Sequence, residues 1–110
     1  MEDLLARIER FSRNLPGVET GTSYGRPALK VAGRTFAAVK AEDILVLMAA
    51  LDEKERLMEM APDIYFETDH YKGWPALLIR AGAIGDEELQ LRLAEAWRAK
   101  APARLRKGAG

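Results

Sequence analysis

A glycine between two runs of strand-forming residues is the feature that most constrains how this chain folds. Residues 28–32 and 35–40 flank Gly33 at the spacing of a two-residue β-hairpin. Residues 44–48 follow closely and are apolar throughout, which is typical of a central strand buried on both faces. The sequence therefore predicts three antiparallel strands in the first half of the chain.

Alternation along the predicted hairpin assigns its side chains to two faces, because successive residues of a strand point to opposite sides of the sheet. One face is predicted to carry Leu29, Val31, Phe36 and Ala38. The other face is predicted to carry Lys30, Thr35, Ala37 and Val39.

Two helices are predicted on either side of these strands. Apolar residues repeat at helical spacing over residues 1–13, which indicates an amphipathic helix. A second helix is predicted to begin at Asp52, where Glu55 stands three residues later as in a capping box, and to end at Pro62.

The last part of the chain predicts two strands and a third helix. The strands are expected over residues 64–68 and 76–80, joined by a polar and aromatic loop. The helix is expected to run from an N-cap at Asp86 to about residue 100, before Pro102. Its apolar stripe consists of Leu89, Leu93, Ala96 and Trp97.

These elements predict an α+β fold of order α-β(3)-α-β(2)-α, a mainly antiparallel sheet with helices packed on it. Residues 1–102 are expected to form one domain. Residues 103–110 show no core-facing pattern and are expected to form a flexible basic tail. The residues predicted to lie in the core are Leu29, Phe36, Val46, Leu57, Leu89 and Leu93.

Composition excludes several classes of site. The chain has no cysteine, which excludes disulfides, thiolate metal sites and cysteine nucleophiles. No apolar run approaches the roughly 18 residues of a membrane span, and Glu2 and Asp3 stand where a signal peptide would be basic. We therefore expect a cytoplasmic protein with no membrane partner. Because neither a nucleophile–base pair nor a phosphate-binding loop occurs, we expect no enzymatic activity and no cofactor.

Three segments carry a resemblance to a known family. They are SYGRPALKVAGRTFA at residues 23–37, LPGVE at residues 15–19 and the pair Gly73-Trp74. In this order and spacing they resemble the MmcQ/YjbR family of small bacterial proteins. The resemblance implies an α+β fold similar to that of secretion chaperones and comparable to the frataxin-like fold, with no catalytic motif. Members are often labelled DNA-binding by structural analogy, so the resemblance also suggests that function.

Charge is segregated along the chain although the formal net charge is zero. Residues 20–41 carry basic residues and no acid, residues 42–69 are rich in acids, and only basic charges follow Glu95. Basic segments can neutralise phosphates, and an exposed Tyr24 can stack on a base. The pattern predicts a weak, sequence-independent DNA-binding module. Its contact residues would be Tyr24, Arg26, Lys30, Arg34, Lys40, Arg104, Arg106 and Lys107.

A second interpretation of the same charges stays open. Basic residues also suit a solvated hairpin edge and the C-terminal end of a helix. The chain would then be a protein-interaction or adaptor module, such as a homodimer, without nucleic-acid binding. One continuous basic surface would favour nucleic-acid binding, whereas scattered charges would favour protein interaction.

Two smaller clusters are interpreted as structural. His70 is expected to be exposed in its loop, with Trp74 anchoring that loop in the core. Glu55 and Glu59 lie one helical turn apart and could share a cation. A solvated helix face explains the two glutamates equally, so the sequence predicts no metal site.

Overall fold

The sheet is antiparallel throughout, and its six strands lie in the order β1-β2-β3-β4-β6-β5. The structure is a computed structural model that describes residues 2–108. The strands are β1 (Val18–Ser23), β2 (Arg26–Val31), β3 (Arg34–Ala41), β4 (Ile44–Met48), β5 (Tyr65–Phe66) and β6 (Ala76–Arg80). The helices are α1 (Leu4–Phe11), α2 (Leu51–Met60), α3 (Asp86–Lys100) and α4 (Ala103–Gly108), with a 3-10 turn at Asp69–Tyr71. The α+β class and the antiparallel sheet are as the sequence predicts.

All four helices pack on one face of the sheet. Leu4 and Ile8 of α1, Leu57 of α2 and the predicted stripe of α3 join one apolar cluster with inward-facing strand residues. The six residues predicted to lie in the core are all buried. Val46 is buried on the other face of the sheet, in a separate cluster that receives no helix residue. The fold therefore has two layers, with one sheet face left without helices.

The hairpin at Gly33 forms as predicted. Ala32 and Gly33 both have positive φ, 51° and 78°, the geometry of a primed two-residue turn whose twist matches its strands. The predicted side-chain faces are wrong beyond Phe36, however. Lys30 pairs with Thr35 and Leu29 with Ala37, which leaves Phe36 as an extra residue in a β-bulge. The bulge turns Ala37 and Val39 toward the helices and Ala38 away from them.

The predicted order lacks one strand. β1 pairs with β2 along its whole length, so the order is α-β(4)-α-β(2)-α-α rather than α-β(3)-α-β(2)-α. β1 is an edge strand, and its middle residues, Glu19 to Thr22, show no apolar alternation. An edge strand needs only one row of backbone hydrogen bonds, which the pattern of side chains does not reveal.

Two predicted helix starts and one strand length are also wrong. The N-cap of α2 is Ala50, which has no side chain that can cap, and Asp52 instead accepts from the backbone N–H of Glu53 at 2.9 Å. The N-cap of α3 is Gly85, and Asp86 pairs with Arg7 of α1 at 2.9 Å. β5 spans two residues instead of the five predicted.

The predicted flexible tail is a helix over most of its length. Residues 103–108 form α4, and Leu105 is partly buried against the main core cluster. The contact is close, since a Cβ placed on Gly17 would lie 2.8 Å from Leu105 Cδ1. Residues 109–110 lie outside the described residues.

The packing of α4 makes a prediction about Leu105. Replacing it with alanine is expected to lower the free energy of unfolding by about 1 kcal/mol, because roughly half of a leucine's transfer free energy is lost. Urea unfolding would measure the change against Arg106→Ala, which alters the exposed side of the same helix. Equal stabilities of the two variants would show that α4 does not dock.

Candidate nucleic-acid interface

The sheet face opposite the helices, called the open face here because no helix packs on it, has a buried centre of small and medium apolar side chains. Its centre consists of Ala28, Ala38, Val46, Ala76 and Leu78. Ile44, Met48, Phe66 and Tyr71 border that centre. Tyr71 comes from the loop between β5 and β6, so this loop covers part of the open face.

Basic side chains cross one end of the open face. Strand alternation places Arg26 with Ala28 and Arg80 with Leu78 on that face. Lys40 lies at a β-bulge, and its ammonium reaches the same face because it lies over the Tyr71 ring. Arg26 Nη1 donates to the carbonyl of Lys40 at 3.1 Å, and Arg80 pairs in register with Ile44 on β4. These three residues, called the basic row here, span the strands β2, β3, β4 and β6. At about 4.8 Å per strand the row is roughly 14 Å long.

Two aromatic rings of the open face are already in contact with basic side chains. Lys40 Nζ lies 5.5 Å from the centroid of the Tyr71 ring, and the Arg80 guanidinium lies 4.0 Å from that of Phe66. These cation–π contacts fix the positive charges over the sheet and occupy the ring faces. Beside Arg26, Tyr24 is available for stacking, because it is fully exposed in the β1–β2 turn.

The other predicted contact residues lie elsewhere. Arg34 pairs with Val31 at the end of β2 opposite Arg26. Because a strand rises about 3.4 Å per residue, Val31 lies about 17 Å from Arg26. The three basic residues of α4 lie near that end too, because Leu105 packs close to Gly17 and Val31. They are Arg104, Arg106 and Lys107. Lys30 lies between the two groups and faces Glu19 across the β1–β2 pair.

The structure divides seven of the eight predicted residues into two groups, with Lys30 between them. The predicted set is therefore not one continuous basic surface and, by the criterion set from the sequence, favours protein interaction. Tyr24, Arg26 and Lys40 lie at one end of the hairpin, and Arg34 and the α4 residues lie at the other. Sequence reasoning missed Arg80, which joins the first group. A single arginine at the end of an apolar strand carries no local signal, and only the long-range pairing of β4 with β6 brings it there.

The loop between β5 and β6 differs from its prediction in one respect. His70 is exposed and lies edge-on to Tyr71, with ring centroids 5.0 Å apart. Trp74 does not anchor the loop, since it is 64 % exposed. The anchor is Lys54 of α2, whose ammonium donates to the carbonyls of Tyr71 at 2.7 Å and Trp74 at 2.9 Å.

Other features of the described chain add no functional group to the open face. Within residues 2–108, no cluster of three or more His, Asp or Glu side chains is arranged to hold a metal ion. A cavity of about 640 Å³ lies between α1 and β1, and none of the eight predicted residues lines it. Over the same range, no helix has the length and apolar character needed to cross a membrane.

Comparison with known proteins gives the family. The family model described as YjbR matches residues 13–99, most of the chain. The chain belongs to the YjbR family. The resemblance seen in the hairpin at Gly33 and its lead-in is therefore confirmed.

The curated relatives leave the function open. Uncharacterised proteins of Mycobacterium tuberculosis and Mycobacterium bovis are 38 % identical to this YjbR-family chain over 52 residues. That segment covers 47 % of this chain and 40 % of each relative, so the chain spans less than half the length of the relatives it matches. No solved structure matches the chain.

Proposed function

We propose that this YjbR-family protein binds nucleic acid weakly and without sequence preference, through the end of the open face that carries the basic row. The observation that carries the proposal is the alignment of Arg26, Lys40 and Arg80 across four strands, with Tyr24 exposed beside them. The site differs from a hairpin-and-tail surface because Arg80 belongs to it and α4 does not.

Electrostatics supports a polyanion as the ligand. On the open face, four strand positions are basic and the facing acid is Glu19 of β1, which lies opposite Lys30. The acids of α2 and α3 lie in the helical layer on the other side of the sheet. The strand positions of this face therefore carry a net positive charge, while the exposed acids Glu42 and Asp43 lie in the β3–β4 turn at the end of the basic row. The basic row is roughly 14 Å long, which exceeds the Debye length of about 10 Å at 0.1 M salt. Salt therefore screens its two ends from each other, and each basic side chain attracts the phosphates nearest to it.

The side-chain types on the open face favour binding without base recognition. Asn and Gln read adenine through paired hydrogen bonds, and the chain has one of each, Asn14 and Gln90. Asn14 lies between α1 and β1, and Gln90 lies on α3, so neither belongs to the open face. Arginine and lysine contacts to phosphate position a nucleic acid without reading its sequence.

The salt dependence of binding tests this proposal. Binding to fluorescein-labelled single-stranded and duplex DNA would be followed by anisotropy between 50 and 200 mM salt, a range of about fourfold that resolves the slope. Replacing Arg26, Lys40 and Arg80 together with glutamine is expected to flatten the slope of log K against log salt by up to about 2.7 on duplex and 2.1 on single strands.

The matched control removes the same charge from the other end of the molecule. Arg104→Gln, Arg106→Gln and Lys107→Gln together are expected to leave the slope nearly unchanged. A variant Tyr24→Ala is expected to weaken single-strand binding more than duplex binding, because stacking needs an unpaired base. Undetectable binding at low salt, or a larger effect of the α4 variant than of the basic-row variant, would contradict the proposal.

Protein interaction is the second candidate function. It is favoured by the division of the predicted basic residues into two groups. It is also favoured by exposed large apolar side chains on the helical layer, namely Leu51, Met60 and Leu91. The cytoplasmic location and the absence of enzymatic activity and of a cofactor stay predictions from the sequence.

A further inference from the structure

A groove runs between α2 and α3 on the helical layer. It has two compartments, of about 510 and 300 Å³, and Leu57 and Arg92 line both of them. The compartments are therefore neighbours along one groove. They are separated by a bridge in which Arg92 Nη1 lies 3.2 Å from a Glu53 carboxylate oxygen.

The larger compartment is apolar and accessible. Its walls include Leu57 and Met60, which lie on one face of α2 because they are three residues apart, and Ala61, which directly follows the helix. Leu91 of α3 stands across from them. Met60 is 67 % exposed and Leu91 is 50 % exposed, although both are large apolar side chains. Exposed apolar side chains that face each other across a cavity are typical of interaction surfaces.

The rim of the groove is acidic. Asp52, Glu53 and Glu95 border the smaller compartment, and Glu87 and Glu88 border the larger one. Among the lining residues, the cation is Arg92, and its guanidinium is already paired with carboxylates of the same chain. Its Nη1 lies 3.1 Å from Glu95 as well as contacting Glu53, and its Nε donates to the hydroxyl of Tyr65 at 3.2 Å.

The network around Tyr65 keeps the wall acidic. Burial, and then the hydrogen bond to Glu88, raise the pKa of Tyr65 to about 12. The phenol therefore stays protonated at neutral pH and donates to the Glu88 carboxylate. Glu88 is fixed on the wall of the larger compartment as a hydrogen-bonded side chain.

We propose that this groove binds a basic amphipathic helix of a partner protein. Apolar side chains of the partner, spaced three and four residues apart, would fill the compartment lined by Leu57, Met60 and Leu91. Lysine or arginine side chains on its flanks would meet the carboxylates of the rim, of which Glu87 and Glu95 lie at either end. The stretch of α3 from Glu88 to Ala99 is about 16 Å long, which accommodates roughly three turns of helix.

The charge of the groove argues against other ligands. Nucleic acids and anionic lipid surfaces would be repelled by the rim, whereas basic side chains are attracted to it. The inference gives a partner class to the second candidate function and is independent of nucleic-acid binding. The basic row and the groove lie on opposite sides of the sheet, so each can be removed without the other.

Binding of a model peptide to the full chain tests the inference. The probe is a fluorescein-labelled helical peptide of about five turns with leucine at positions i, i+3, i+4 and i+7 and lysine on its flanks. Leu91→Gln is expected to weaken its binding about tenfold, because the apolar anchor is lost. Glu87→Gln with Glu95→Gln is expected to weaken it severalfold and to reduce its salt dependence.

The matched control is Glu42→Gln with Asp43→Asn, which removes two charges from the exposed β3–β4 turn. Its affinity for the peptide is expected to stay within about twofold of that of the unmodified chain, since surface charges outside an interface contribute little. Equal weakening by the rim and control variants would mean that the peptide senses only overall charge, and this would overturn the proposal. Absence of peptide binding would overturn it as well.

Two further measurements separate this inference from its alternatives. Sedimentation would show whether the chain forms a dimer that Leu91→Gln dissociates; in that case a second copy fills the groove and the partner-helix proposal is wrong. The basic-row variant is expected to keep peptide binding, and Leu91→Gln is expected to keep DNA binding. If the unmodified chain binds the peptide but not DNA, the proposed function fails. If it binds DNA but not the peptide, the groove inference fails.

Discussion

Replacing Trp97 with alanine is expected to lower the free energy of unfolding by about 3–5 kcal/mol. Trp97 is the largest fully buried side chain, at 1 % exposure, and it packs between α3 and the sheet. Its indole N–H donates to the carbonyl of Pro16 at 2.9 Å, which ties α3 to the segment before β1. The alanine variant loses the apolar packing and leaves that carbonyl without its donor. Urea unfolding monitored by circular dichroism would measure the loss.

The second tryptophan of the chain supplies the control. Trp74→Ala removes the same side chain from a loop position that is 64 % exposed, and its cost is expected to stay within about 0.5 kcal/mol. The backbone carbonyl of Trp74, which Lys54 contacts, is kept in that variant. If the two alanine variants had similar stabilities, the assignment of Trp97 to the core would be wrong.

The sequence predicted the parts of the fold that depend on local pattern. The stripe of α3 that ends in Trp97 repeats at helical spacing, and all four of its residues are buried. The turn at Gly33 forms because glycine readily takes positive φ there. Residues 44–48 are apolar throughout and form β4, which lies between two other strands.

The parts that the sequence did not predict depend on pairing between distant segments. The bulge at Phe36 changes which side chains face the helices, and it is visible only in the register of β3 against β2. Arg80 joins Lys40 on the open face because β6 pairs with β4, across a span that includes α2. The candidate interface was therefore predicted in part. The charge pattern of the sequence predicts the interface residues that lie in the hairpin. The pairing of β4 with β6, which the sequence does not show, determines the shape of the interface and adds Arg80 to it.

Lys54 shows why a charged residue can be misjudged in a sequence. Lysine on a helix is usually solvated, so nothing in its neighbourhood predicts burial. In the structure it is 2 % exposed, and its ammonium has three partners. Two are the carbonyls of Tyr71 and Trp74, and the third is the Glu67 carboxylate at 3.1 Å. The two carbonyls accept hydrogen bonds from the ammonium, whereas Glu67 Oε2 pairs with it by charge and accepts no hydrogen bond.

Replacing Lys54 with methionine is expected to lower the free energy of unfolding by about 3 kcal/mol, the lower end of the range for breaking a buried ion pair. Methionine fills a similar volume but leaves two carbonyls without a donor and the Glu67 carboxylate without its counter-charge. The lower end applies because the Glu67 side chain is 27 % exposed and keeps part of its hydration. Urea unfolding would measure the loss, with Lys72→Met as the control, because Lys72 is an exposed lysine of the same loop.

A double-mutant cycle would separate the ion pair from the two carbonyl contacts. Adding Glu67→Gln to Lys54→Met is expected to recover part of the stability, since the uncompensated charge is then gone. The loss of unfolding free energy that remains in the double variant measures the hydrogen bonds from Lys54 to the carbonyls of Tyr71 and Trp74. These bonds hold the loop that places Tyr71 on the open face. The amide of Trp74 donates to the carbonyl of Tyr71 at 3.0 Å, and its hydrogen exchange is expected to accelerate in both variants. Unchanged exchange at Trp74 would mean that Lys54 does not hold this loop. The position of Tyr71 beneath Lys40 would then have to depend on packing against the sheet alone.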